Sequence, residues 1–351
     1  MSIFDQINTM GHENVLLCND EETGLNAIIA VHDTTLGPAL GGTRMWKYAN
    51  HDLAITDALR LSRGMTYKAS ISGLNLGGGK AVIVGDTSLK SEAFWRAYGR
   101  FVERLNGNYI TAEDVNTNTS DMENIHKETK HVTGIPMSMG GSGDPSPFTA
   151  YGTFVAMKAC AQKRWGSDSL DGKKVMVQGV GHVGQYLVDH LDKAGAKVYV
   201  CDINREKLTQ TAAKNKVEII APEDMFNTEV DIYAPCALGA TLNDDSIPVL
   251  KSEIVCGAAN NQLKDELIHG KALVDKNILY APDFLINAGG LMNVAAEARG
   301  NYNETEVSAQ VETIYQRLLD IFSKAEAEKL TPQFAAINMA EERIAQTKVA
   351  V

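Results

Sequence analysis

Five cysteines in 351 residues, none of them in a C-x-x-C pair, leave this chain without a zinc or dithiol motif. Cys18, Cys160, Cys201, Cys236 and Cys256 are scattered, so buried free thiols in a reducing compartment are expected, and no metal site. No apolar run approaches the ~20 residues that a membrane-spanning helix needs. The opening residues Met1-Ser2-Ile3-Phe4-Asp5-Gln6 lack a basic stretch followed by an apolar one. Neither a secretory leader nor a membrane partner is therefore expected, and the expected location is cytoplasmic. Net positive charge is lacking too: 33 basic against 44 acidic residues leave a formal charge of -11. Such a surface repels a phosphate backbone, which excludes nucleic acid as an expected partner. Repeats and low-complexity tracts are absent.

What is present is a chain of ordinary globular composition, 44% hydrophobic and 22% charged, long enough for two cores. Val15–Cys18 and Asn26–Val31 are β-rich runs around the polar turn Asn19–Gly24, the pattern of a hairpin. From Asp52 to Arg63 apolar residues recur at helical spacing, with Gly64 as the expected stop. Ala81–Val84 reads as a short strand, and Ser91 as the cap of a helix carrying Phe94, Tyr98, Phe101 and Leu105. From about Phe148 strands and helices alternate, which predicts a parallel, doubly wound sheet. The run Gly140–Pro147 has the glycine and proline content of a loop or hinge between the halves, and Glu304–Val349 reads as two amphipathic helices broken at Thr331-Pro332.

The strand Lys174–Gln178 runs into Gly179-Val180-Gly181-His182-Val183-Gly184, a G-x-G-x-x-G followed by a helical pattern. A second strand, Lys197–Cys201, ends in Asp202, 23 residues after Gly179. Strand, glycines, helix and acid together make the dinucleotide fingerprint. Gly179 is expected to form the tight turn, Gly181 to let the backbone approach the pyrophosphate, and Gly184 to let helix and strand pack. The phosphates would meet the free N–H groups at the helix start. Asp202 would take the ribose hydroxyls and repel a 2′-phosphate, which favours NAD over NADP, with Arg205 as the contrary signal. His182 is expected to face solvent.

The other motif is Gly77-Gly78-Gly79-Lys80. It is not a phosphate loop: Leu74 stands where the first glycine belongs, and Ala81 where Ser or Thr belongs. Three glycines before a lysine are expected to permit close approach of a ligand and water. Lys68 lies twelve residues upstream; if both ammonium groups share one site, repulsion and burial favour proton loss by one of them. The strand-like run Tyr109–Val115 carries Glu113 and Asp114, which project to opposite faces, and either is a candidate proton carrier.

With these pieces in place the chain resembles the Glu/Leu/Phe/Val dehydrogenases, and within them the leucine-specific members. The matching stretches are Leu36–Met45, Gly64–Lys68, Gly73–Lys80, Thr111–Val115, Gly143–Ala150 and Ala281–Gly290. The resemblance implies an α/β fold of two domains separated by a cleft: an N-terminal α/β substrate-binding and oligomerisation domain over 1–135, and a Rossmann-type doubly wound NAD-binding domain over 136–330. A C-terminal helix over 331–351 returns toward the substrate domain. It further implies NAD-dependent oxidative deamination of an L-amino acid to a 2-oxo acid and ammonia, and the reverse, by a homo-oligomer (dimer or octamer). By carry-over Lys68 holds the substrate carboxylate, Lys80 activates water, Asp114 handles protons at the amino nitrogen, and Asn287 helps fix the substrate. Thr149 and Asn260 stand as cofactor contacts.

Glutamate-specific members carry a lysine just before the Gly-Gly pair; here that position is Leu40, beside Gly41. A buried glutamate carboxylate would lose its ion pair, at several kcal/mol. Leu40, Ala112, Leu291 and Val294 are expected to form an apolar pocket for leucine, isoleucine and valine, which differ by a methylene worth about 1–3 kcal/mol. Asn116, Leu291-Met292 and Met10–Glu13 are also compatible with members acting on phenylalanine or tryptophan. A non-catalytic NAD sensor would need none of Lys68, Lys80 and Asp114. A 2-hydroxy-acid dehydrogenase would need a His–Arg pairing that does not stand out among the eight histidines.

Overall fold

The computed structural model describes residues 3–300 and 302–350; Met1 and Ser2 of the opening segment, Asn301 and Val351 lie outside the described residues. The chain forms two compact units. One takes the chain up to Pro145, Leu291–Glu304 and the chain from Ala340; the other takes Ser146–Gly290 and Thr305–Met339.

In the first unit α1 (Ile3–Met10) leads into a hairpin of β1 (Asn14–Asp20) and β2 (Leu25–Asp33), with Leu17 opposite Ile28. Then follow β3 (Ala39–Trp46), α2 (His51–Ile71), β4 (Gly77–Val84), α3 (Glu92–Glu103), β5 (Tyr109–Glu113) and α4 (Thr119–His126). The sheet runs β1-β2-β4-β3-β5, with β4 antiparallel to β2 and parallel to β3, and β3 parallel to β5. Period-two alternation sorts its side chains. Ala39, Met45, Ala81 and Ile83 join Phe94, Trp95 and Tyr98 of α3 in one core layer. Ile28, Ala30 and Val82 join Ala54, Ala58 and Leu59 of α2 in the other. Leu40, Gly42, Arg44 and Lys80 thus share the α2 side.

Helix α2 corrects one expectation. It does not stop at Gly64 but runs on to Ile71, because its buried positions continue through Thr66, Ala69 and Ser70. Gly64 is exposed and touches nothing, so it costs only the ~1 kcal/mol of a glycine in a helix. The chain turns out of the helix at Gly73, where φ is +73°. Lys68 therefore lies on a helix, not in a loop. Asn50 caps the start, accepting from Leu53 N at 2.9 Å, and Ser91 caps α3 as expected.

The second unit carries α5 (Ser146–Trp165), β6 (Lys174–Gln178), α6 (His182–Lys193), β7 (Lys197–Cys201), α7 (Arg205–Lys214), β8 (Val217–Ile219), β9 (Ile232–Pro235), α8 (Ser246–Val249), β10 (Ile254–Val255), α9 (Glu266–Asp275), β11 (Leu279–Tyr280) and α10 (Asp283–Ile286). Its six strands are all parallel in the order β11-β10-β9-β6-β7-β8. That is the doubly wound Rossmann order, with the switch point between β6 and β9. Met176, Tyr233, Val255, Leu273 and Tyr280 build its core. The short β8 was not visible as a run in the sequence. Of the remaining helices, α11 (Gly289–Arg299) starts in the second unit and passes into the first at Leu291. After α12 (Glu304–Glu328), α13 (Pro332–Ala350) starts at the expected break and joins the first unit from Ala340. All five cysteines are free thiols, and no helix among the described residues is long and apolar enough to cross a membrane.

Candidate active site

Strand β4 begins at Gly77, four residues earlier than expected, so the three glycines are strand residues and not a ligand loop. What approaches them is the protein itself. A Cβ on Gly77 would lie 2.1 Å from the Asp33 carbonyl oxygen, one on Gly78 2.1 Å from Thr66 N of α2, and one on Gly79 2.5 Å from the Tyr109 ring. The expectation of an open approach for ligand and water is therefore corrected. Bare backbone here lets α2 lie close on β4, two residues from Lys68.

Lys80 is 5% exposed, and its Nζ lies 2.9 Å from Asp114 Oδ2. Register explains the meeting. Thr43 pairs with Ala81 on one side and Glu113 on the other, so Lys80 lies level with Gly42, and Asp114 follows directly on the last rung. A Cβ on Gly42 would fall 2.8 Å from Asp114 Cβ and 2.5 Å from the Glu113 carbonyl oxygen. Asp114 N donates to Thr117 Oγ1 at 2.8 Å, and that hydroxyl donates to Thr43 O at 2.9 Å, which ties the acid to β3. Burial pushes the Asp114 carboxyl up, but Lys80 and Arg44 outweigh it and hold it down at about 2. Of the two acids, Asp114 meets the lysine; Glu113 accepts from Thr119 Oγ1 at 3.4 Å instead.

The first unit also holds the other expected substrate residues except Asn287. Leu40 is 2% exposed, and the carbonyl of Gly41 accepts from the Tyr109 hydroxyl at 2.6 Å. Ala112 is buried on the Lys80 side of β5, and Lys68 is half-buried on α2. Leu291 and Val294, both buried, lie on the part of α11 that belongs to the same unit. Glu297, three residues on from Val294, accepts from Gly134 N, Ser142 N and Ser142 Oγ at 2.9, 2.9 and 2.6 Å, and from Ile135 N at 3.3 Å. Sequence reasoning missed Glu297, although its i,i+3 spacing from Val294 marks a shared helix face. It also missed Arg44, which donates from Nε to Asp114 Oδ2 at 3.0 Å and from Nη1 to Asp57 Oδ2 at 3.1 Å. Two-residue spacing from Gly42 was the available signal.

The second unit holds the remaining expected residues: the fingerprint and Asp202 follow β6 and β7, Asn260 and Asn287 follow β10 and β11, and Thr149 lies in α5. Gly179 has φ +96°, and a Cβ there would meet Ala237 at 2.8 Å. A Cβ on Gly184 would lie 2.0 Å from Gly179 O, whereas one on Gly181 would meet nothing within 4 Å. Two glycines thus serve the turn and the packing, and the middle one faces open space. Helix α6 starts at His182, which is exposed, and no side chain caps its first turn. Its leading N–H groups, those of His182, Val183 and Gly184, suit a phosphate. Asp202 is half-buried, its Oδ2 accepting from Val180 N and its Oδ1 from Asn204 N, each at 2.8 Å; Arg205 is exposed. Asn287 is 3% exposed and donates to Asn260 Oδ1 at 2.6 Å and to Ala258 O at 3.1 Å. Thr149 joins this group through Gly289, whose Cβ would fall 2.0 Å from Phe148 O and 3.2 Å from Thr149 N. The residues fit a dinucleotide.

A fingerprint at the switch point of one sheet, with a buried lysine on a half-buried carboxylate on another, is the equipment of a dinucleotide-dependent dehydrogenase of small molecules. The chain belongs to the Glu/Leu/Phe/Val dehydrogenase family. The family model described as Glu/Leu/Phe/Val dehydrogenase, dimerisation domain, matches residues 12–131, and the Glutamate/Leucine/Phenylalanine/Valine dehydrogenase model matches 140–205 and 199–350. A leucine dehydrogenase of Thermoactinomyces intermedius is 53% identical over 98% of this chain and 94% of its own. One of Geobacillus stearothermophilus is 51% identical over the same shares. Among solved structures, L-tryptophan dehydrogenase from Nostoc punctiforme superposes with a TM-score of 0.87 at 45% identity, covering 98% of this chain and 99% of that one. The protein is an amino-acid dehydrogenase.

Proposed function

We propose that this enzyme converts an apolar L-amino acid, leucine foremost and isoleucine and valine with it, to the 2-oxo acid and ammonia with reduction of NAD, and runs the reverse reductive amination. The observation that carries the reading is Leu40, buried on the same face of the sheet as the Lys80–Asp114 pair. It offers an aliphatic surface, and no cation, to the substrate side chain. Ala112, Leu291 and Val294 complete that surface. The names of the Thermoactinomyces and Geobacillus relatives support leucine, and that of the Nostoc neighbour supports tryptophan as a second reading, with phenylalanine beside it.

In the forward reaction the substrate loses a hydride from Cα, giving an iminium that water attacks; ammonia then leaves and the 2-oxo acid remains. Bound NAD would supply the hydride acceptor. Lys68 on α2 holds the substrate carboxylate. Lys80 takes a proton from the attacking water, and Asp114, one hydrogen bond away, receives and returns protons at the amino nitrogen. Asn287, fixed by Asn260 and Ala258 O, orients the substrate against the cofactor, and Thr149 and Asn260 hold the nicotinamide end. Gly179, Val180, Gly181, His182, Val183 and Gly184 cradle the pyrophosphate. Asp202 meets the adenosine ribose with an anchored carboxylate that repels a 2′-phosphate, which is the ground for NAD over NADP. The working form is a homo-oligomer, a dimer or an octamer; exposed Leu17 on the edge strand β1 supports a contact there.

The test is a panel of leucine, isoleucine, valine, phenylalanine, tryptophan and glutamate with NAD or NADP, read by absorbance of the reduced cofactor. Turnover of the branched aliphatic acids with NAD, at least tenfold above glutamate, is expected on a loss of several kcal/mol for the unpaired carboxylate. No reduction with any apolar amino acid overturns the reading. A preference for tryptophan or phenylalanine selects the second one.

A further inference from the structure

We propose that Arg44 is a positioning residue for this reaction: held from behind by Asp57, it keeps Asp114 in place on Lys80 and sets the pH range over which the pair turns over. The proposal rests on the roles given above to Lys80 and Asp114. Its basis is that one oxygen serves two cations. Asp114 Oδ2 lies 2.9 Å from Lys80 Nζ and 3.0 Å from Arg44 Nε. The guanidinium is a rigid planar fork, so its second contact, Nη1 on Asp57 Oδ2 at 3.1 Å, fixes the direction in which Nε points. Asp57 is itself engaged by the Tyr48 hydroxyl. Three elements thus converge on one carboxylate: Arg44 from β3, Lys80 from β4, and Asp57 from α2 behind the arginine.

The charges have a chemical consequence. A guanidinium does not release its proton, so Arg44 takes no part in proton exchange. It does draw on the Asp114 charge that would otherwise hold the Lys80 ammonium alone. With Arg44, the three groups that meet at Oδ2 carry one net positive charge; without it, the lysine and carboxylate form a neutral pair. The other titratable groups on this side are Tyr48 and Asp57, already bonded to each other, His12 and His32, whose rings meet Ser62 Oγ and Thr66 Oγ1 of α2, and Tyr67 and Lys68 further along α2. Glu113 alternates to the other face of the sheet. A simple strand-to-helix brace would need only the Asp57 contact; sharing Oδ2 with Lys80 is what links Arg44 to the chemistry.

The experiment uses the full-length enzyme and the variants Arg44→Met, Arg44→Lys and Asp57→Asn. The pH dependence of kcat with leucine at saturating NAD, the NADH dissociation constant and the melting temperature are measured for each. The Asp114 carboxyl is followed separately by ¹³C NMR titration, with Asp114→Asn giving the assignment. In Arg44→Met the rise of kcat with pH is expected to move to higher pH by about one unit or more, and the Asp114 carboxyl to titrate at higher pH. NADH affinity is expected to stay within about twofold, since the cofactor fingerprint is untouched. Arg44→Lys, which keeps the charge, should retain most of the profile, and Asp57→Asn, which removes the anion behind Arg44, should move the rise of kcat slightly to lower pH, opposite to Arg44→Met. A kcat loss equal at every pH, with an unmoved Asp114 titration, overturns the proposal and leaves Arg44 a brace. If Arg44→Met does not fold, the Arg44→Lys and Asp57→Asn profiles decide it alone. Absence of turnover in the unmodified enzyme would sink the reading of Lys80, while the NMR titration would still decide whether Arg44 governs Asp114.

Discussion

At Gly42 the space a side chain would take is already filled by Asp114. A methyl group there would press on the Glu113 carbonyl oxygen and on Asp114 Cβ, and β5 cannot retreat without breaking its pairing with β3. The Gly42→Ala enzyme should therefore keep its fold, at a cost of about 1–3 kcal/mol in stability. It should lose about a hundredfold in kcat, because displacing a reacting group by ~1 Å has that effect. Steady-state kinetics with leucine beside a thermal melt would check both; a kcat within threefold of the parent would show that Asp114 tolerates the shift. The same geometry says why Lys80 needs the whole block Leu36–Met45. A lysine 5% exposed is stable only with a partner, and the partner comes within reach only across a bare residue.

At the scale of the element, α11 carries two of the residues proposed for the side-chain pocket and its own anchor. Glu297 gathers four donors from the 134–142 segment, so the face bearing Val294 has one seating. Glu297→Gln replaces one acceptor oxygen by a donor opposite donors. The expected result is a stability loss of about 1.5–3 kcal/mol, with a higher KM for leucine and an unchanged NADH dissociation constant. A change in NADH binding without a change in leucine KM would contradict the proposed role of α11 in the substrate pocket. This anchor illustrates what was legible beforehand. Most strands and the helices α5, α6 and α7 of the second unit could be read because they are short patterned runs between clear breakers; β8, α8, α9 and α10 could not. Lys80 and Asp114 could be singled out as candidates, and the two do meet. The extent of α2 could not, since Gly64 is a strong breaker by propensity and only tertiary burial through Ser70 overrides it. Nor could the contacts of Arg44 with Asp114 and of Glu297 with the 134–142 segment, which span 70 and up to 163 residues and are set by register and by a returning chain.

On the scale of the whole molecule, the chain's last stretch secures a helix near its beginning. From α13, Arg343 donates to Ser70 O and Leu74 O at 3.1 and 2.8 Å and to Asn75 Oδ1 at 2.6 Å. Lys348 pairs with Asp33 at 2.9 Å, and Glu341 accepts from the Tyr67 hydroxyl at 2.8 Å. These contacts cap the end of α2 at the turn carrying Lys68. Truncation after Met339 should leave the carbonyls of Ser70 and Leu74 without this donor. It should lower the melting temperature by several degrees, given about 2–4 °C per kcal/mol for domains of this size. It should also weaken leucine binding more than NADH binding, as isothermal titration would show. Equal loss of both affinities would mean that the tail supports the fold at large and not the α2 end.

The segment Leu291–Glu304 has a consequence for how such enzymes can be recombined. It lies after the nucleotide-binding strands in the chain, yet it supplies Leu291, Val294 and Glu297 to the other unit. With Leu291 and Val294 lining the side-chain pocket as proposed, exchange at a single crossover near Pro145 would bring foreign pocket residues along with a foreign cofactor site. On that reading substrate choice and cofactor choice are not inherited as two separate blocks. A graft meant to change only the cofactor has to end at Gly290, and one meant to change only the amino acid has to reach past it.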